Sequence, residues 1–266
     1  MRIFQFVLLI LLVAFCITAK AADVFSDGHK IYLEGEIRKG DAERFAATLI
    51  EMVKTELIPN SLWVSSNGGD INEAMKLVSL IKGTRLHVFV SKGKVCASSC
   101  FFVYLAGIER NAQNITNDDG TLLPQEKRDR YYGGVGIHRP YFKDPSGNIE
   151  SEHNQILLMH KVKSYLEEEG VSEHLIDTMM THPSNDVYWL NSKDLEDIGE
   201  YPPDVEEVAI SKCNYIRMQK MYEQKMSKEQ FSIIYMCILD NVLDKYDRPR
   251  FDYLVKLNTG WRPWKK

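Results

Sequence analysis

The run Phe101-Phe102-Val103-Tyr104-Leu105-Ala106, closed by Gly107, constrains this chain more than any other feature. A helix that is apolar on every side has no face to give to water, so other elements must enclose it. The segments before it are spaced to do so. Tyr32, Leu33 and Ile37 read as a short strand, after which Asp41 opens a helix with Phe45, Leu49, Met52 and Val53 at helical spacing. Leu62, Trp63 and Val64 read as a second strand, ended by the turn residues Asn67, Gly68 and Gly69; Ile71, Met75, Val78 and Ile81 then repeat at helical period. Leu86, Val88 and Val90 alternate with His87 and Phe89 as a third strand. Strands alternating with helices at this spacing predict right-handed βαβ units and an α/β fold.

Beyond Gly107 the chain turns polar from Ile108 to Arg130 without a clear period, which predicts an insertion loop or lid on the surface. Tyr131 to Pro140 returns to the core, Ile156–Leu166 and Leu175–Met180 have helical spacing, and Asp194–Ile198 makes a short helix before Gly199. Past Pro203 the pattern changes to two amphipathic helices, Ile210–Met226 and Phe231–Leu243, and a basic, Trp-containing tail. Residues 22–203 are therefore expected to form the main domain and 204–266 a helical C-terminal extension.

At the other end, Arg2 precedes an apolar run from Phe4 to Ile17 and the small-residue pattern Ala19-Lys20-Ala21, which together read as a signal peptide over residues 1–21. A spanning anchor is the rival, but the run falls short of the roughly 20 residues that a membrane helix needs. Bulky Phe15 before Cys16 argues against a lipid anchor. The expected location is periplasmic or secreted. Without Arg2 and Lys20, 31 of the 33 basic residues face 37 acidic ones, leaving a net charge of about −6 that argues against a nucleic-acid partner.

Of five cysteines, Cys96, Cys100, Cys213 and Cys237 lie beyond this leader. Their connectivity is open: Cys213 with Cys237 across a helical hairpin is the preferred pair, buried thiols the alternative, and Cys96 and Cys100, which bracket Ser98, either pair or pack. Zinc is disfavoured because no Cys-x-x-Cys or His-x-x-x-His pair accompanies them. A serine nucleophile needs a base and oxyanion donors. Ser98 stands where the third strand and its loop give way to the buried helix, the Ser99 amide beside it is a natural donor, and Gly68 and Gly69 let backbone amides approach a carbonyl closely. His138, after Val135-Gly136-Ile137, is placed to act as base. Singly, each has an ordinary explanation: a helix cap, a turn, a packing histidine. Their common place at the carboxyl ends of strand-like segments is where open α/β sheets carry their sites.

With Ser65–Asp70 and its helix, Cys96–Gly107 and Ile137-His138-Arg139-Pro140, the region from Ile31 to Gly199 resembles the ClpP serine peptidases. The resemblance implies the ββα superhelical fold of the ClpP/crotonase superfamily, with Ser98 as nucleophile, His138 as base, and Gly68, Gly69 and Ser99 in the oxyanion region. It departs at Asn67, where the family carries proline, and at Ser99, where it carries a small or sulfur residue. Fitting Trp189–Gly199 to the family segment puts Val187 at the position of the acid with Asp186 beside it, so either Asp186 completes a triad or the site is a dyad. The resemblance further implies a peptide or unfolded polypeptide substrate, no cofactor, a possible homo-oligomeric ring, and, outside the cytoplasm, no ATPase partner. Related signal-peptide peptidases use a Ser-Lys dyad, and crotonases use CoA, so both are weaker enzymatic alternatives. A non-catalytic binding or scaffolding protein of the cell envelope is the alternative of another class.

Overall fold

The computed structural model describes residues 21–117, 121–124, 127, 133–141, 149–217, 220–221, 224–243 and 247–265. The leader assigned to residues 1–21 therefore lies, except for Ala21, outside the described residues. An antiparallel hairpin, β1 (Asp23–Asp27) and β2 (Lys30–Glu34), starts the chain. From β2 the sheet grows in parallel through β3 (Ser61–Ser65), β4 (His87–Val90) and β6 (Arg110–Asn111), in the order β1-β2-β3-β4-β6. A second sheet has the order β5-β7-β8, with β5 (Val95–Ala97) parallel to β7 (Gly134–Ile137) and β7 antiparallel to β8 (Tyr188–Trp189). The fold class is α/β. The sheets meet at Ser66, whose amide donates to the Val95 carbonyl (2.8 Å) and whose carbonyl accepts from the Ala97 amide (2.9 Å).

Helices α1 (Asp41–Lys54) and α2 (Ile71–Thr84) follow β2 and β3 as the periodicity predicts. In α1, Ala42, Phe45, Ala46, Leu49 and Met52 are buried on one face. Its N-terminus begins at Gly40, which offers no side chain, and receives its cap from the neighbouring helix: one Glu73 oxygen accepts the amides of Gly40 and Ala42, both at 2.9 Å. Asp70 caps α2 in the usual way, accepting the Glu73 amide at 2.9 Å. Helix α3 (Cys100–Leu105) is buried along its whole length. Around it stand α2, β4, β5 and β7, the shell that its composition demanded.

Helices α4 (Ile149–Glu168), α5 (Glu173–Thr181) and α6 (Ser192–Ile198) complete the main body. Two expectations are corrected. The segment from Ile108 does not begin as a surface loop: Ile108 and Arg110 are buried, and β6 is an edge of the main sheet. The charge of Arg110 disguised this strand, because its guanidinium is neutralised inside by Glu169, 2.5 Å away, which also holds Lys82. Nor is 210–226 one helix: α7 (Pro203–Cys213) ends at Asn214, in the left-handed conformation at φ 52°, and α8 (Lys228–Ile238) starts at a Ser227–Gln230 capping box and runs into a π-turn at Leu239–Leu243. The basic tail holds a further helix, α9 (Asp247–Asn258). Rather than joining the extension, α9 packs on α1 and α2, burying Leu254 and Leu257 in the main core. Arg250 donates to the carbonyls of Thr84 and Arg85, each at 2.8 Å, satisfying the C-terminal end of α2. A second, smaller core forms around Tyr201, Val205, Ala209, Cys213, Tyr215, Met221, Ile238 and Val242, and the Cys213–Cys237 disulfide joins α7 to α8 there.

Candidate active site

Sheet register brings the serine and the histidine to one place. β5 and β7 run side by side with Ala97 opposite Gly136, so both chains leave the sheet at neighbouring points, one at Ser98 and the other at His138. The Ser98 amide extends the ladder by one bond, to the Gly136 carbonyl at 3.0 Å. Ser98 itself is left-handed at φ 57°, a conformation that an L side chain rarely takes outside tight turns. That turn lets the chain pass from β5 into α3 within two residues and leaves the Ser98 side chain half-buried at the wall of a cavity of about 860 Å³. Strained serines between strand and helix are a recurrent means of presenting a hydroxyl.

The Asn67-Gly68-Gly69 turn, extending from β3, lines the same cavity. Both glycines have positive φ, 91° and 147°, and neither position has room for a side chain. A Cβ at Gly68 would stand 2.6 Å from the Ala97 carbonyl oxygen and from Ser98 Cβ, and one at Gly69 would stand 2.1 Å from the Ile37 carbonyl oxygen. The glycines are thus required by close approach to the serine turn and to the Ile37 backbone.

Ser98, Ser99, Gly68, Gly69 and His138 all line this cavity, but their roles sort differently from expectation. The Gly68 amide is already committed, donating to Ser66 Oγ at 3.0 Å. The amides of Gly69 and Ser99 have no acceptor among the described residues. Ser66, buried and interleaved between the two sheets, has no mark in sequence other than its position immediately before Asn67-Gly68-Gly69.

His138 is half-buried, and its Nδ1 lies 3.0 Å from the Arg139 carbonyl oxygen. With the ring proton on Nδ1 donated to that carbonyl, Nε2 keeps its lone pair. The Tyr141 ring stands 6.0 Å from the imidazole. Asp186 is not part of this arrangement. Its carboxylate is largely exposed, with one oxygen 3.2 Å from Nε2 of His182 and the other accepting the Val187 amide at 2.8 Å. It turns to His182 because the Pro183–Asp186 turn folds back on the end of α5, closed by the Asp186 amide donating to the Pro183 carbonyl at 3.2 Å.

Cys96 and Cys100, which flank the Ser98 turn, are joined by a disulfide and are both fully buried. Among the described residues no group of three or more His, Cys, Asp or Glu side chains could hold a metal ion, and no helix is long and apolar enough to cross a membrane.

No protein-family profile and no curated protein matches the chain by sequence. Among solved structures it is similar to ClpP1 from Listeria monocytogenes, at 20% identity and a TM-score of 0.45, over 65% of this chain and 88% of that one. It is also similar to the 1510-N membrane-bound stomatin-specific protease, at 15% identity and a TM-score of 0.40, over 64% of this chain and 76% of that one.

Proposed function

We propose that this chain is a serine peptidase or related acyl hydrolase that works with a Ser98–His138 dyad. The observation that carries the reading is that a left-handed serine, an uncommitted pair of backbone amides and an imidazole with Nδ1 against a carbonyl all face one cavity. In the first step Ser98 Oγ bonds to the substrate carbonyl carbon while its proton passes to Nε2 of His138, and the carbonyl π electrons move onto oxygen. The amides of Gly69 and Ser99 hold that oxyanion. Collapse breaks the bond to the leaving amine or alcohol, which takes the proton from His138, and water repeats the sequence to release the acid. The Arg139 carbonyl takes the place that a carboxylate holds in a triad, fixing the imidazole tautomer without adding a charge.

The substrate is a peptide or an unfolded polypeptide, and the protein acts outside the cytoplasm without an ATPase. Two disulfides suit an oxidising compartment. A second reading, a non-catalytic binding or scaffolding protein of the cell envelope, draws on the pairing of Asp186 with His182 instead of His138. A fluorophosphonate probe separates the two. Covalent labelling of the wild type that disappears in Ser98→Ala and falls sharply in His138→Ala is the expected result; absence of labelling at any pH between 6 and 9 overturns the enzymatic reading.

A further inference from the structure

The two amides left for an oxyanion belong to different elements: Gly69 to the turn after β3, Ser99 to the start of α3. For both to point at one oxygen, the start of α3 must be fixed relative to β3 and β5. The packing around α3 and the Ser98–Gly136 bond do part of this, and no side-chain cap adds to them. Ser99 sits at the N-cap position in helical conformation with no side-chain cap, and its hydroxyl is buried with no partner among the described residues. A helix this short has little stability of its own. Between β5 and α3 stands the left-handed Ser98, whose conformation the chain would relax if free to do so.

The start of α3 is also tied to the sheet covalently. Cys96 is the central residue of β5 and the bridge partner of Ser66, which accepts the Gly68 amide; Cys100 is the first residue of α3. Their disulfide closes a ring through Ala97, Ser98 and Ser99, with both cysteines fully buried. It therefore links the strand that registers the glycine turn to the helix end that carries the Ser99 amide. We propose that the Cys96–Cys100 disulfide is a positioning element of the Ser98 site, so that the site is competent only while the bond is closed. The inference rests on the Ser98 reading above. Cys96 and Cys100 touch no reacting atom in this scheme; they act through Ser98 and Ser99.

Opening the bond takes two electrons and two protons. A dithiol such as dithiothreitol supplies them, is itself oxidised to its cyclic disulfide, and leaves two cysteine thiols. The turn then keeps the Ser98–Gly136 bond but loses the crosslink that holds the Ser99 amide toward Gly69. A displacement of about 1 Å at such a site costs on the order of a hundredfold in rate.

The test compares fluorophosphonate labelling of the oxidised protein, of the protein reduced with dithiothreitol, of the same protein after reoxidation, and of the double variant Cys96→Ala/Cys100→Ala, which retains Cys213 and Cys237. Far-UV circular dichroism and thermal melting are followed in parallel. The expected result is a maximal labelling rate about tenfold to a hundredfold lower in the reduced protein and in the double variant, with probe affinity and helix content unchanged and full recovery on reoxidation. Equal labelling in the open and closed forms overturns the proposal and leaves the enzymatic reading standing. Loss of labelling in step with loss of helix content also overturns it, since the bond is then a fold staple. If even the oxidised protein does not react, it is the Ser98 reading that fails, and the proposal falls with it.

Discussion

Ser98 holds a conformation that costs an L residue about 1–2 kcal/mol. Glycine at that position would take the same φ of 57° without the penalty. Ser98→Gly is therefore expected to raise the unfolding free energy by about 1 kcal/mol while removing all probe labelling, as read by chemical denaturation and by the fluorophosphonate. A lower stability in that variant would mean that the serine is retained for the fold. The neighbouring acid makes a second prediction. Because the exposed Asp186 carboxylate lies against His182, Asp186→Asn is expected to change the labelling rate by less than about twofold, the range of an exposed ion pair. A large loss would bring Asp186 back as the third member of a triad.

At the scale of elements, the cavity wall depends on where α1 and α2 begin, and Glu73 ties the two together. Burial of its carboxyl favours the neutral form, but hydrogen bonds from the Lys76 ammonium and from the Ala42 and Gly40 amides outweigh it, so its pKa lies below the ordinary glutamate value. A carboxyl depressed in this way contributes stability that is fully present above its unfolded value, about 4.3, and is lost as pH falls through the lower folded value. Glu73→Gln is expected to cost about 1–3 kcal/mol at pH 7, as measured by urea unfolding. The gap between wild type and variant should narrow as pH falls below the unfolded value and close once it has passed the lower folded value, where the wild-type carboxyl is neutral too. A gap that stays constant with pH would show that the cap works through shape alone.

Over the whole molecule the chain returns on itself. The last helix does not extend the α7–α8 unit but closes the back of the main domain, with Tyr253 donating to the Ser79 carbonyl at 2.9 Å and Arg262 paired with Glu43 at 2.8 Å. Leu257 is fully buried in the main core. Leu257→Ala is expected to destabilise the domain that carries Ser98 by about 2–4 kcal/mol, seen as an earlier denaturant midpoint with Ser98 labelling lost at the same midpoint. Were α9 only an appendage, the midpoint would not move.

The local chain by itself determined much of this. The alternation of Val88 and Val90 with Phe89, the helical spacing of Phe45, Leu49 and Met52, and the uninterrupted run Phe101–Ala106 each state a period and a burial requirement within a few residues, and the α/β class follows from their order. Ser98 and His138 each directly follow a strand, β5 and β7, and Gly69 lies in the turn after β3. Other features needed the tertiary structure because they depend on partners far along the chain. Arg110 reads as a surface residue until Glu169 neutralises it inside, and the Gly68 amide reads as an oxyanion donor until Ser66 Oγ takes it. Asp186 stands beside the acid's place in sequence, yet a turn directs it to His182. Local periodicity encodes which residues must leave water; which charge meets which amide is decided only when separate elements pack, because a few ångströms decide whether a polar pair forms.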